Sequence, residues 1–172
     1  AYGLRLLPAI EACTAEEIHL LCYLPSVEAA LELGEVFRRH LPPYPYDPAV
    51  WGEQWVMDED DNILRREGRL LTGALELDIY QTAALCRSHG GIPVPAHVDK
   101  DSYSLLSVFG LWDDSLGFEL AELADLSRAP ALLQSGRLPG GLPLISSSDA
   151  HALETMREEY PPLPACALER LL

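Results

Sequence analysis

Residues 4–24 read LRLLPAIEACTAEEIHLLCYL, and this stretch sets the interpretation of the rest of the chain. Leu4 to Ile10 is an apolar run interrupted by Pro8, and Ile18 to Leu24 is a second run. Both have strand length and are too short for helices of ordinary size, so two strands are expected to open the chain. From Ser26 to His40, the residues Val27, Ala30, Leu31, Val36 and Phe37 recur at helical spacing. Ser26 is suited to cap that helix, and Arg38, Arg39 and His40 complement its negative end.

Residues 41–50, LPPYPYDPAV, carry too much proline for a regular element, and WVMDEDDNIL from Trp55 reads as two short arms around an acidic turn. Residues 41–70 are therefore expected to form an inserted loop and hairpin. The cluster Asp58 to Asp61 lacks the ligand spacing and the glycine of a calcium loop, which makes it a solvated hairpin tip. Tyr44, Tyr46, Trp51 and Trp55 pack this loop or shape a substrate wall. A helix is expected from about Thr72 to Ser88, stopped by Gly90 and Gly91, and a strand over Ile92 to Ala96. Beyond these come a short helix near Ser102 to Phe109, a strand at Phe118 to Leu123, a helix near Ser127 to Ser135 and a strand at Leu142 to Ser146. The alternation predicts an α/β fold with mostly parallel strands, open or curled into an incomplete (β/α) barrel, over a single domain 1–172.

The chain has 172 residues, of which 48% are hydrophobic, enough for a substantial core. It contains neither a signal-peptide pattern nor an apolar stretch of about 18 residues, so no membrane partner is expected. The formal net charge of −15 argues against nucleic acid and favours a small substrate, because polyphosphate affinity is largely supplied by clustered cations. Cys13, Cys22, Cys86 and Cys166 are widely spaced, without a Cys-x-x-Cys, and read as reduced thiols of a cytoplasmic protein. Lys100 is the only lysine.

In α/β folds, reactive groups collect where strands end in loops. Glu11 follows the first expected strand, His97 follows Ile92 to Ala96, and Asp149 and His151 follow Leu142 to Ser146. Carboxylates and imidazoles converging from separate strand ends suit a borderline divalent metal such as zinc, manganese or iron. Asp149 and His151, at i and i+2, share one side of an extended segment. His40 and His89 sit at expected helix ends, where a cation or donor is favourable, and are not candidates. Ser146 to Ser148 lack the Gly-x-Ser-x-Gly context of a serine nucleophile.

Three segments carry a resemblance. Ala9 to Leu21, AIEACTAEEIHLL, looks like the segment of the PHP (polymerase and histidinol phosphatase) family in which a strand-end glutamate is followed by an "EEVHLL" strand. Gly90 to Asp99, GGIPVPAHVD, resembles that family's "GG…PAHxD" block, and Ser147 to His151, SSDAH, resembles its "SDAH" block. The three occur in the family's order. The resemblance implies a barrel-like fold holding two or three divalent metals and hydrolysing phosphate esters. It assigns Glu11 as a bridging carboxylate, His19 and His97 as ligands of one metal, and Asp149 and His151 as ligands and catalytic groups at the others. The chain lacks the family's first strand with His-x-His and its "TDH" segment, which implies a missing amino-terminal segment or divergence, and a strand edge open to homo-oligomerisation.

On this resemblance the expected reaction is cleavage of a small phosphomonoester or nucleotide by metal-activated water, with Lys100 as a phosphate contact or simply a surface lysine. The alternatives are a non-catalytic metal-binding or regulatory module, and a C–N hydrolase using the same metals.

Overall fold

The computed structural model describes residues 6–44, 46–157 and 159–171. Strand β1 (Ala9–Cys13) and strand β2 (His19–Tyr23) are joined by a five-residue turn, Thr14 to Ile18, and pair antiparallel with Cys13 opposite His19. Strand order alone could not give this, but the turn length does: parallel neighbours need a crossover of about a dozen residues or more. Helix α1 (Val27–Arg39) follows, with Ser26 accepting a hydrogen bond from the Ala29 amide and His40 at its carboxyl end, as the sequence predicts.

Helix α2 (Pro48–Trp51) is a single turn inside the proline-rich stretch, started by Asp47 as cap and Pro48 in the first position. Proline is compatible with a helix there because its missing N–H would have no partner in any case. Strands β3 (Trp55–Met57) and β4 (Ile63–Arg66) form the expected hairpin, and the Asp58 carboxylate accepts from the Asn62 and Asp60 amides to close its acidic tip. Helix α3 (Ile79–Ser88) begins well after the expected Thr72, because Asp78 and Gln81 make a reciprocal capping box there. The segment ahead of it is irregular and lies beside β1: the Leu75 amide donates to Cys13 and the Leu77 carbonyl accepts from Ala15.

Strand β5 (Ile92–Pro95) pairs antiparallel with β2, giving the order β1-β2-β5. Then come helix α4 (Leu105–Phe109), strand β6 (Ala121–Glu122), helix α5 (Ala129–Gln134), strand β7 (Leu144–Ile145) and helix α6 (Ala165–Leu171). Among the described residues only β6 and β7 pair in parallel. The expectation of mostly parallel strands is therefore corrected: the fold is mixed α/β, its main sheet is antiparallel, and among the described residues no sheet closes into a barrel. Leu4 and Arg5 of the first expected strand lie outside the described residues.

The main sheet packs against other elements on both faces. Leu20 and Cys22 of β2 alternate inward with Ala12 of β1 and meet Leu33 and Phe37 of α1 and Ile79, Ala83 and Cys86 of α3. On the opposite face, Val94 packs with Leu120, Ile145 and Ala167, against Leu21 and Tyr23. All four cysteines are free, but Cys166 is exposed rather than a core thiol. Among the described residues no helix is long and apolar enough to cross a membrane.

Candidate metal centre

The pleat puts the chemistry on one side of the sheet. Cys13 lies directly opposite His19, so Glu11, Cys13, His19 and Leu21 share a face while Ala12 and Leu20 point into the core. Glu11 is diagonal to His19, a separation a glutamate can span. The third residue arrives from β5, where the Ala96 amide donates to the His19 carbonyl at 3.1 Å and brings His97 beside His19.

As a result, His19 Nδ1 lies 3.2 Å from Glu11 Oε1, His97 Nε2 lies 3.6 Å from the same oxygen, and the two ring nitrogens are 3.2 Å apart. One ligand atom from each of the three residues falls within 4.8 Å of the others. One carboxylate oxygen and two imidazole nitrogens suit a divalent metal of the zinc or manganese type, and three protein donors leave room for further ligands. His97 is 3% exposed, and its Nδ1 is buried without a hydrogen-bond partner among the described residues, an exceptional state for a core imidazole and a frequent one at functional sites. These residues fit a divalent cation.

The electrostatics agree. Hydrogen bonds from His19 and His97 hold the Glu11 carboxyl well below the usual carboxylate range. Cys13 beside its ring, and then Glu11, push His19 up to about 9. Burial, followed by the charges of Glu122 and Glu11, pushes Tyr23 up to about 12. Of these causes only the charges of Glu122 and Glu11 favour a cation, since burial disfavours charge of either sign.

The remaining expected residues are arranged differently. Asp149 and His151 do not join the group of three. Asp149 is bound by Lys100, whose Nζ lies 2.5 Å from Oδ2, and the Lys100 amide donates to the His97 carbonyl at 2.9 Å. Asp149 is thus tied to the His97 turn through Lys100, whose ammonium is engaged by a carboxylate. His151 is exposed, and its ring lies 2.9 Å from the Asp149 carbonyl.

Backbone strain marks the same region. Among the described residues, positive φ outside glycine occurs at Glu17, Asp61, His97, Tyr103 and Asp149. Glu17 and Asp61 sit in tight turns, whereas His97 and Asp149 are candidate ligands and Tyr103 stacks on His19 with ring centroids 4.9 Å apart. Such strain persists where surrounding contacts impose it, which is characteristic of functional sites.

Sequence reasoning missed three residues here. Cys13 was legible as the i+2 neighbour of Glu11 on one strand face. Glu122 was legible as an acid within an apolar strand; it is 3% exposed and its carboxylate accepts from the His97 amide. Nothing in sequence signalled Tyr103. Conversely, Asp99 of the "PAHxD" block accepts from the Ala124 and Asp125 amides, so it braces a loop.

The architecture is thus a mixed α/β fold with a candidate cation site at the edge of its main sheet. In the comparison with solved structures it is similar to the lesion-specific endonuclease PfuEndoQ from Pyrococcus furiosus, at 19% identity and a TM-score of 0.56, over 83% of this chain and 30% of that one. The chain therefore spans less than a third of that protein's length. No protein-family profile and no curated protein matches the chain. The likeness overturns the expectation that nucleic acid is excluded in favour of a small phosphorylated substrate, since a protein of this fold is an endonuclease. Net charge does not decide the matter, because it sums the whole surface, whereas phosphate binding depends on the local field.

Proposed function

We propose that this chain carries the metal-binding part of a divalent-metal-dependent phosphoesterase that cleaves phosphodiester bonds of nucleic acid. The observation that carries the reading is the convergence of Glu11, His19 and His97 within 4.8 Å on one sheet face. Glu11, His19 and His97 would hold the cation, and Asp149 and His151 would add donors from the end of β7. A bound divalent cation would lower the pKa of water and offset phosphate charge. Glu11 supplies the anionic donor, the His19 ring is oriented by Cys13 and Glu11, and the buried His97 keeps water from one side of the site. Lys100, on the His97 turn, offers a phosphate contact when it is not paired with Asp149.

The test is cleavage of labelled duplex oligonucleotides, with and without an abasic site, by the purified chain in Mn²⁺ or Zn²⁺ and in EDTA. Metal-dependent nicking that is lost in Glu11→Gln and His97→Ala supports the reading. Equal cleavage in EDTA refutes it. A second reading, a metal-binding module without turnover, is favoured by the Lys100–Asp149 pair and the exposure of His151. Stoichiometric metal by elemental analysis without cleavage would establish that one.

A further inference from the structure

We infer that Glu122 is a positioning residue that locks the His97 turn to the Ser147–His151 segment, so that the two loops meet a cation in fixed relation; the inference rests on the metal-centre reading above. Glu122 ends β6, which contacts both β5 and β7, and its side chain is buried. One oxygen accepts the His97 amide at 3.1 Å, and the other accepts the Ser147 hydroxyl in a short contact. Its own carbonyl accepts the Val98 amide at 2.8 Å, so main chain and side chain grip the His97 turn together. Ser147 is two residues from Asp149, and both His97 and Asp149 adopt left-handed backbone that needs outside support, with φ of 31° and 48°. Groups that orient a ligand without touching the metal contribute strongly to affinity.

The isostere Glu122→Gln keeps both contacts: its amide oxygen accepts from His97, and its NH₂ donates to the Ser147 hydroxyl, which rotates to accept. Glu122→Met fills the space and loses both. Metal-free amide exchange is measured first. In Glu122→Met, exchange of the His97 amide is expected to quicken at least tenfold and backbone ¹⁵N order parameters over residues 147–151 to fall, with Glu122→Gln restoring both. Metal titration by calorimetry, with the Co²⁺ absorption spectrum as a second readout, is expected to show affinity about 10–100-fold weaker in Glu122→Met and largely rescued in Glu122→Gln. Unchanged His97 exchange together with unchanged order parameters over residues 147–151 in Glu122→Met overturns the inference, as does equal loss in the Gln and Met variants, which would make charge alone the cause. Should Glu122→Met fail to fold, Ser147→Ala takes its place, with lower backbone ¹⁵N order parameters expected over residues 147–151 and unchanged values there overturning the lock. If the wild-type chain binds no metal, the metal-centre reading fails, while the exchange data still decide the lock.

Discussion

Removing the Glu11 charge should change how stability depends on pH in the metal-stripped protein. Cys13 and then Glu11 raise His19 from 6.5 to about 9, so the proton on His19 is bound more tightly in the folded chain. A raised imidazole stabilises fully below its unfolded value, and that contribution disappears as pH climbs from about 6.5 through about 9. The full rise corresponds to ~3 kcal/mol. Glu11 accounts for part of it, and the side chains of His19 and Glu11 are 28% and 32% exposed, so solvent screening leaves about 1–2 kcal/mol for this contact. Urea denaturation in EDTA of the wild type and Glu11→Gln, at pH 6 and pH 9.5, isolates it from other titrating groups. The wild type should exceed the variant by about 1–2 kcal/mol more at pH 6 than at pH 9.5. His19 should titrate lower in Glu11→Gln by imidazole NMR. A constant difference across pH, or an unmoved His19, would refute the ion pair at the heart of the site.

Other perturbations probe separate links. Leu20→Ala, at a fully buried position of the central strand, should cost about 2–5 kcal/mol by chemical denaturation. Gly91→Ala would put a Cβ 2.7 Å from the Tyr23 carbonyl and 2.8 Å from Cys86 Sγ, which requires main chain to move and should cost about 1–3 kcal/mol. Gly140→Ala meets nothing within 4 Å and should stay within about 0.5 kcal/mol of wild type. Lys100→Met breaks a half-exposed pair and should change stability by less than about 1 kcal/mol, while raising KM for an oligonucleotide substrate.

Local pattern revealed which segments are regular, and much less of how they are paired. The capped helix after Ser26 and the hairpin around Asp58 were legible because their signals lie within a few residues of each other. Strand direction was misjudged because alternation of strands and helices was given more weight than the five-residue turn between Cys13 and His19, which permits only antiparallel pairing. The late start of α3 was written in Asp78 and Gln81, but the apolar Leu75 and Leu77 ahead of it prolong the apolar run while lying beside β1 in irregular backbone. Tertiary hydrogen bonds decide such a segment, and no window of sequence contains them.

The candidate site survived that error for a physical reason. Glu11 stands in the middle of β1 rather than after it, His97 lies two residues beyond β5, and His19 begins β2, whose antiparallel pairing brings that start beside the far ends of β1 and β5. Convergence of His19 depends on that pairing, since a parallel β2 would carry it to the opposite end of the sheet, whereas β1 and β5 run the same way in both arrangements and keep Glu11 and His97 together. Asp149 and His151 depend instead on how a loop folds after a two-residue strand, β7, and that loop is governed by contacts to Lys100 and Glu122 from distant parts of the chain. Identity of side chains could be read from the sequence at all five positions. Their mutual geometry could be read only where a strand register enforces it, which explains why three gather and two wait on the loop that Glu122 holds.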